Sequence, residues 1–363
     1  MARKLSSDKL LFAVTGTLVL VGIMMVFSAS AEMANEKFHS PYYFLMRQGL
    51  WAILGLAGMS VLMHIDYHHY QKPILVFSGL FVCGLLLLGV FFLDRSHHTH
   101  RWFRLGFLSL QPSELSKVFL VIFMAHFLAK RAGQVSNLRL TLAPLGTVLG
   151  VFVGLIFMEP DLGTAASIVL VASILLWVAG LNWKYVGGLI ALALPTLFCS
   201  IYFFEYRLRR VLVFWDPWKD RQGAGFQIIQ SLIAVGTGGL LGTGLMEGKQ
   251  KLFYLPEPHT DFVYAVLGEE FGLVGSVSLL LLYLVFFWRG LRLSLRAPDP
   301  FGKYLGLGLT MMVLCQAFIN MSVVLSLVPT KGIPLPFISY GGSSLLISLM
   351  GVGILLNISQ HSE

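Results

Sequence analysis

The run Pro73-Ile-Leu-Val-Phe-Ser-Gly-Leu-Phe-Val-Cys-Gly-Leu-Leu-Leu-Leu-Gly-Val-Phe-Phe-Leu93 carries no charged residue. As a helix rising ~1.5 Å per residue it crosses a hydrocarbon core ~30 Å thick. Comparable runs lie at about 10–29, 46–64, 113–130, 142–158, 164–181, 184–204, 265–288, 303–328 and 343–358. The chain of 363 residues is 56% hydrophobic and 12% charged, against about 25% charged in a soluble domain. Mean hydropathy is +0.77. These features define the expected fold class, an all-α polytopic membrane protein. It forms one integral membrane domain over 1–363, with about ten transmembrane helices. One long extracytoplasmic loop, about 205–264, joins helices seven and eight.

The net charge of +8 points to topology rather than to nucleic acid, because the basic residues are scattered between apolar runs. With the N-terminus inside, the inner segments hold twelve Lys and Arg and the short outer segments six. That bias places both termini in the cytoplasm and the long loop outside. Arg3, Lys4 and Lys9 before the first apolar run resemble a signal peptide, and Ala29-Ser-Ala31 a cleavage site. The run is too long for that, so an uncleaved first helix is expected. Cys83, Cys199 and Cys315 lie far apart inside apolar runs, which argues against disulfides and a CxxC metal site.

Polar residues cluster where the chain enters or leaves the spans. Leu255-Pro-Glu-Pro-His-Thr-Asp-Phe262 and Gly268-Glu-Glu-Phe-Gly272 supply Glu257, His259, Asp261, Glu269 and Glu270, in a chain with only 18 acidic residues. Ionisable groups are costly beside a bilayer, so a site is expected here, the alternative being a loop end that caps the next helix. In Gln111-Pro-Ser-Glu-Leu-Ser-Lys117, Glu114 and Lys117 share a helix face, either paired or each facing a polar cavity. Arg101 and Arg104, just upstream on the outer side, suit an anionic ligand. Glu159-Pro-Asp-Leu-Gly-Thr164 reads as a tight helical hairpin or a broken helix; its carboxylates either bind a cation or position a neighbour, or Asp161 caps the following helix. In Pro329-Thr-Lys-Gly-Ile-Pro-Leu-Pro-Phe-Ile-Ser-Tyr-Gly-Gly-Ser-Ser344 the prolines forbid a regular helix. Ser343 and Ser344 then open the last span with hydroxyls and free N–H groups suited to phosphate, and Lys331 adds a cation.

Three weaker features complete the reading. His97-His-Thr-His100 lacks zinc spacing and reads as a solvated loop. Gly236-Thr-Gly-Gly-Leu-Leu-Gly-Thr-Gly244 lacks the lysine of a P-loop and reads as a flexible loop. Residues 226–241 suit a short surface helix, and Phe214-Trp-Asp-Pro-Trp218 the membrane interface. The polar motifs converge on the outer face, as a site for a lipid-linked anionic substrate would require.

Taken together, Gln111-Pro-Ser-Glu114 with Lys117, Pro160-Asp-Leu-Gly-Thr164, Leu255–Phe262, Gly268-Glu-Glu270 and Ser339-Tyr-Gly-Gly-Ser-Ser344 resemble the SEDS family (shape, elongation, division and sporulation) of bacteria. Pro329-Thr-Lys-Gly332 is nearer to the division type, FtsW, and its sporulation relative than to the elongation type, RodA. The loop carries Asp216-Pro-Trp218 where the division type has Asn-Pro-Trp. The resemblance implies a peptidoglycan glycosyltransferase of the cytoplasmic membrane. Its substrate would be lipid II, a disaccharide-pentapeptide on undecaprenyl pyrophosphate, and its partner a class B penicillin-binding protein. By the same resemblance Asp261 is the catalytic carboxylate, and Glu114, Lys117 and Asp161 match functional positions. Lys117, Arg101, Arg210, the Ser343–Ser344 helix start or a divalent cation (Mg2+ or Mn2+) would stabilise the leaving pyrophosphate, with His259 and Lys331 in support. Two other readings are a lipid II flippase, which needs ionisable residues along an inner route, and a non-catalytic scaffold for the transpeptidase. Few such residues lie on the cytoplasmic halves; His126 is one.

Overall fold

The computed structural model describes residues 7–93, 101–105, 108–185, 187–188, 191, 195, 202–203, 205–223, 225–252, 254–329 and 332–362. Helices α1 (Lys9–Phe38), α2 (Tyr43–His64) and α3 (Pro73–Leu93) open the chain. A two-stranded antiparallel hairpin follows, β1 (Phe103–Leu105) and β2 (Leu108–Leu110), with Phe103 opposite Leu110. Then come α4 (Pro112–Lys130), α5 (Ala143–Met158) and α6 (Leu162–Val178). The loop region holds α7 (Glu205–Trp215) and α8 (Phe226–Gly238), and the chain ends in α9 (Val263–Leu295), α10 (Pro300–Val324) and α11 (Gly342–Ser359). Among the described residues, eight helices are long and apolar enough to cross a membrane, and α6 and α8 are shorter apolar helices.

Helix starts follow local chemistry. The Asp8 carboxylate accepts from Leu11 N–H at 2.8 Å at the start of α1, and Asp299 accepts from Gly302 N–H at 3.0 Å at the start of α10. Pro112 opens α4, where its missing N–H costs nothing. Helices α4, α10 and α11 are mostly buried, whereas α2, α3 and α5 leave wide apolar faces uncovered. The first three are therefore the centre of the bundle, and the others present the surface that lipid would cover. Helix α11 packs along α2, and α10 packs against α9, α4 and α6.

Nine of the expected spans match helices closely; that at 184–204 falls mainly on residues outside the described set, as do His97–His100. Two expectations change. The segment before Gln111 contains the β-hairpin, and the region read as loop opens with a helix, α7. The short surface helix expected over 226–241 is α8: Leu232 and Ile233 on one face are exposed, while Ile228 and Ala234 on the other are buried and the Ser231 hydroxyl donates to Val324 O at 2.8 Å. Cys83 and Cys315 are free and buried, and Cys199 lies outside the described residues.

The two ends of the bundle differ. At one, Asp8 N–H donates to Ser359 Oγ at 3.0 Å and Asp8 pairs with Arg289. Tyr67 bonds Asp299 there, and its N–H donates to Asn357 Oδ1 at 2.8 Å. The other end gathers the starts of α4, α6, α9 and α11.

Candidate functional site

Those four helix starts are tied to one another. The Asp161 carboxylate caps α6, accepting from Thr164 N–H at 3.1 Å and Thr164 Oγ1 at 2.8 Å, and it also accepts from Gln111 Nε2 at 3.1 Å. Gln111 N–H donates to Ser343 Oγ at 3.4 Å, joining α4 to α11. Tyr340 N–H donates to His259 O at 2.8 Å, joining α11 to the loop that precedes α9.

A break in α9 fixes that loop. Gly272 has φ 63° and ψ −158°, a conformation open essentially to glycine alone. The break frees backbone groups on both sides. Glu269 O and Glu270 O accept from Thr243 N–H and Gly244 N–H, each at 3.0 Å. Leu273 N–H and Val274 N–H donate to Gly239 O and Leu240 O at 2.9 and 3.1 Å. The glycine-rich stretch is thus a bonded partner of α9, neither a free loop nor a phosphate cradle. Glu269 accepts from Lys249 N–H at 2.7 Å and from Gln250 N–H at 3.2 Å. Glu270 accepts from Ser28 Oγ and Lys251 Nζ, both at 2.6 Å, with all three side chains buried. These two carboxylates hold the loop; they are not open to a ligand.

Asp261 differs, because the residue is only half-buried and its carboxylate is not spent on loop N–H groups in this way. Its pKa rises to about 6, first through burial and then through the exposed Glu257, with Asp161 adding a little and Arg101 and Arg210 opposing. Arginines from the segment before β1 and from α7 thus face one carboxylate from the α9 loop. Arg101 is held by Glu159 O at 3.0 Å and Pro160 O at 2.5 Å. Beneath them Glu159 is fully buried with no hydrogen-bond partner on either oxygen. Burial, then Asp161, pushes its pKa to about 8 against the pull of Arg101, so it is neutral at pH 7.

The remaining candidates separate. Glu114 and Lys117 lie deeper in the bundle and form a buried pair at 2.8 Å, and Lys117 Nζ also donates to Gln316 Oε1 at 2.7 Å. The His259 ring packs between Phe44 and Tyr340, with centroids 4.5 and 5.6 Å away. Burial lowers its pKa, with Glu257 opposing and Lys37 assisting, and so favours the neutral ring. Ser343 and Ser344 are buried, so the α11 start faces protein and not an open phosphate pocket. Lys331 lies outside the described residues. Among the described residues no three His, Cys, Asp or Glu side chains form a chelating set. Asp161 directs both oxygens at Thr164 and Gln111, so the described residues do not fit a protein-held cation.

Two residues at this end carried no signal in the motif reading. Gln316 and Asn320 sit in α10, four residues apart on one buried face. Paired carboxamides inside an apolar run are the signal that would have found them.

The "Cell cycle protein" family model, which covers FtsW, RodA and SpoVE, matches residues 8–363. A probable peptidoglycan glycosyltransferase FtsW of Geobacter sp. (strain M18) is 44% identical over 353 residues, covering 97% of this chain and 96% of that protein. Stage V sporulation protein E of Bacillus subtilis (strain 168) is 40% identical over 365 residues, covering 99% of each. A chain from a structure on the coordination of polymerization and crosslinking by a peptidoglycan synthase complex superposes with a TM-score of 0.81, at 30% identity over 98% of both chains. The rod shape determining protein RodA of Thermus thermophilus superposes at 0.72, with 27% identity over 99% of both.

Proposed function

This chain belongs to the FtsW, RodA and SpoVE family of cell cycle proteins, and from that premise we propose that it is a peptidoglycan glycosyltransferase polymerising lipid II. It works at the outer face of the bacterial cytoplasmic membrane, with both termini inside, beside a class B penicillin-binding protein that crosslinks the strands. The observation that carries the reading is the Asp261 carboxylate, packed on Gly332 and within electrostatic reach of Arg101 and Arg210, at the end where four helices begin.

Asp261 is the general base. With a pKa of about 6 it is mostly ionised at neutral pH yet basic enough to accept a proton in the transition state. It takes the proton from the acceptor sugar 4-OH as that oxygen attacks the donor anomeric carbon. The new C–O bond forms while the bond to the pyrophosphate oxygen breaks, and the electron pair leaves with undecaprenyl pyrophosphate. One displacement inverts the α-linked donor to a β-linked strand. Arg101 and Arg210 stabilise the charge that develops on the leaving group. Asp261 then returns its proton to water.

The test is lipid II polymerisation by the purified protein with its transpeptidase, comparing wild type with Asp261→Asn. The expected result is strands from wild type only. Equal strand formation by Asp261→Asn would remove Asp261 as the base. Silence from both, with lipid II translocation intact in vesicles, would identify a flippase.

A further inference from the structure

The Asp261 carboxylate rests on a segment that makes no regular backbone ladder, Gly332–Pro336. A Cβ added at Gly332 would lie 2.8 Å from Asp261 Oδ2, so the carboxylate packs directly on this strap. Buried carbonyls without helix or sheet partners need donors from elsewhere. Asn320 Nδ2 donates to Ile333 O at 2.7 Å and also to Asp261 O at 2.8 Å. Gln316 Nε2 donates to Pro334 O at 2.9 Å. Leu335 O accepts from Ser339 N–H at 2.9 Å, and Pro336 O accepts from the Tyr283 hydroxyl. Every carbonyl from 333 to 336 is satisfied, and the first two, those of Ile333 and Pro334, are satisfied by α10.

The orientation of each carboxamide is dictated by its partners. Both Asn320 contacts are carbonyl oxygens, so only its NH2 group can face them. Lys117 has no acceptor, so Gln316 must turn Oε1 to it and Nε2 to Pro334. The buried chain Glu114–Lys117–Gln316 therefore ends on the strap, not on a ligand.

We propose that Gln316 and Asn320 are positioning residues that hold the strap under the Asp261 carboxylate, and that Glu114 and Lys117 act on the site through Gln316. The inference rests on Asp261 being the base. Removing either donor lets the strap and the carboxylate shift together. Asp261 then gains water and moves relative to the groups that face it, namely Glu257, Asp161, Arg101 and Arg210.

The test uses the purified protein with its transpeptidase and the variants Gln316→Met and Asn320→Leu. Two readouts are taken per folded molecule: kcat and KM for lipid II across pH, and carbodiimide modification of Asp261 across pH, followed by mass spectrometry. The expected result is kcat lower by about ten- to a hundredfold with KM within about twofold. The acid limb and the Asp261 titration should both move to lower pH. Gln316→Met, which removes one donor from one carbonyl, carries the test if Asn320→Leu does not fold. Wild-type kcat and an unmoved Asp261 titration in the folded variant would overturn the proposal. A displaced Asp261 titration in the variants, where wild type itself makes no strands, would support the positioning role and overturn the catalytic reading alone.

Discussion

At the residue scale, charge placement around one carboxylate makes opposed predictions. Polymerisation should fall on the acid side with an apparent pKa of about 6, as Asp261 takes up its proton. Glu257 raises that value and Arg101 lowers it. Glu257→Gln should therefore move the acid limb down by less than about one pH unit, and Arg101→Gln should move it up while also lowering kcat. A pH profile of strand synthesis distinguishes these signs, and parallel shifts in both variants would show that the limb belongs to another group. Glu159 gives a stability prediction. Its pKa rises from 4.5 unfolded to about 8 folded, so folding favours its protonated form. That contribution is complete below the unfolded value and is lost as pH rises through the folded one. Glu159→Gln needs no proton, so its advantage over wild type should grow between those two values and level off above, reaching a few kcal/mol at most, at about 1.4 kcal/mol per pH unit. Thermal unfolding in detergent at about pH 5 and about pH 9 measures it.

At the element scale, the interruption of α9 matters most. A Cβ at Gly272 would meet Gly242 N and lie 2.7 Å from Leu240 O, and the local φ of 63° with ψ of −158° is strained for any other residue. Gly272→Ala should destabilise by more than about 3 kcal/mol and sharply reduce folded protein in the membrane, read by thermal unfolding and recovery. The Lys251–Glu270 pair fixes the same loop from the other side, fully buried and joined to Ser28. Lys251→Met alone should cost about 3–5 kcal/mol, because it strands a buried carboxylate, and the double variant Lys251→Met with Glu270→Met should cost less. A double-mutant cycle decides between that and simple additivity. None of this was readable in the sequence. An apolar run continues through Gly272 without changing period, and Glu269 and Glu270 look like site residues until their acceptors are seen to be spent on loop N–H groups. Long spans such as 73–93 were legible because twenty apolar residues in water have no other use. The hairpin of three-residue strands was not, since so short a pattern carries no period.

At the scale of the whole molecule, the sequence reading placed the polar motifs on one face by counting Lys and Arg, and the structure brings Asp161, Asp261, Arg101 and the α11 start together at one end. What escaped was the division of labour among them, which depends on partners distant in sequence: Glu114 and Lys117 face Gln316, and Asp161 faces Gln111. The end-to-end polarity yields a prediction on which the proposed reaction depends. Asp8 and Ser359 meet at the end opposite Asp261, so both ends of the described chain lie at one end of the bundle and the site at the other. Twelve basic residues against six in the short segments are the ground on which the terminal side is proposed to be cytoplasmic. Single cysteines at two exposed positions, Glu257 and His69, report the two ends. In a background with Cys83, Cys199 and Cys315 replaced, an impermeant maleimide added to intact spheroplasts should label Glu257→Cys and leave His69→Cys unlabelled until the membrane is opened. The reverse pattern would put the Asp261 carboxylate in the cytoplasm, where a lipid-linked donor already moved to the outer leaflet could not reach it.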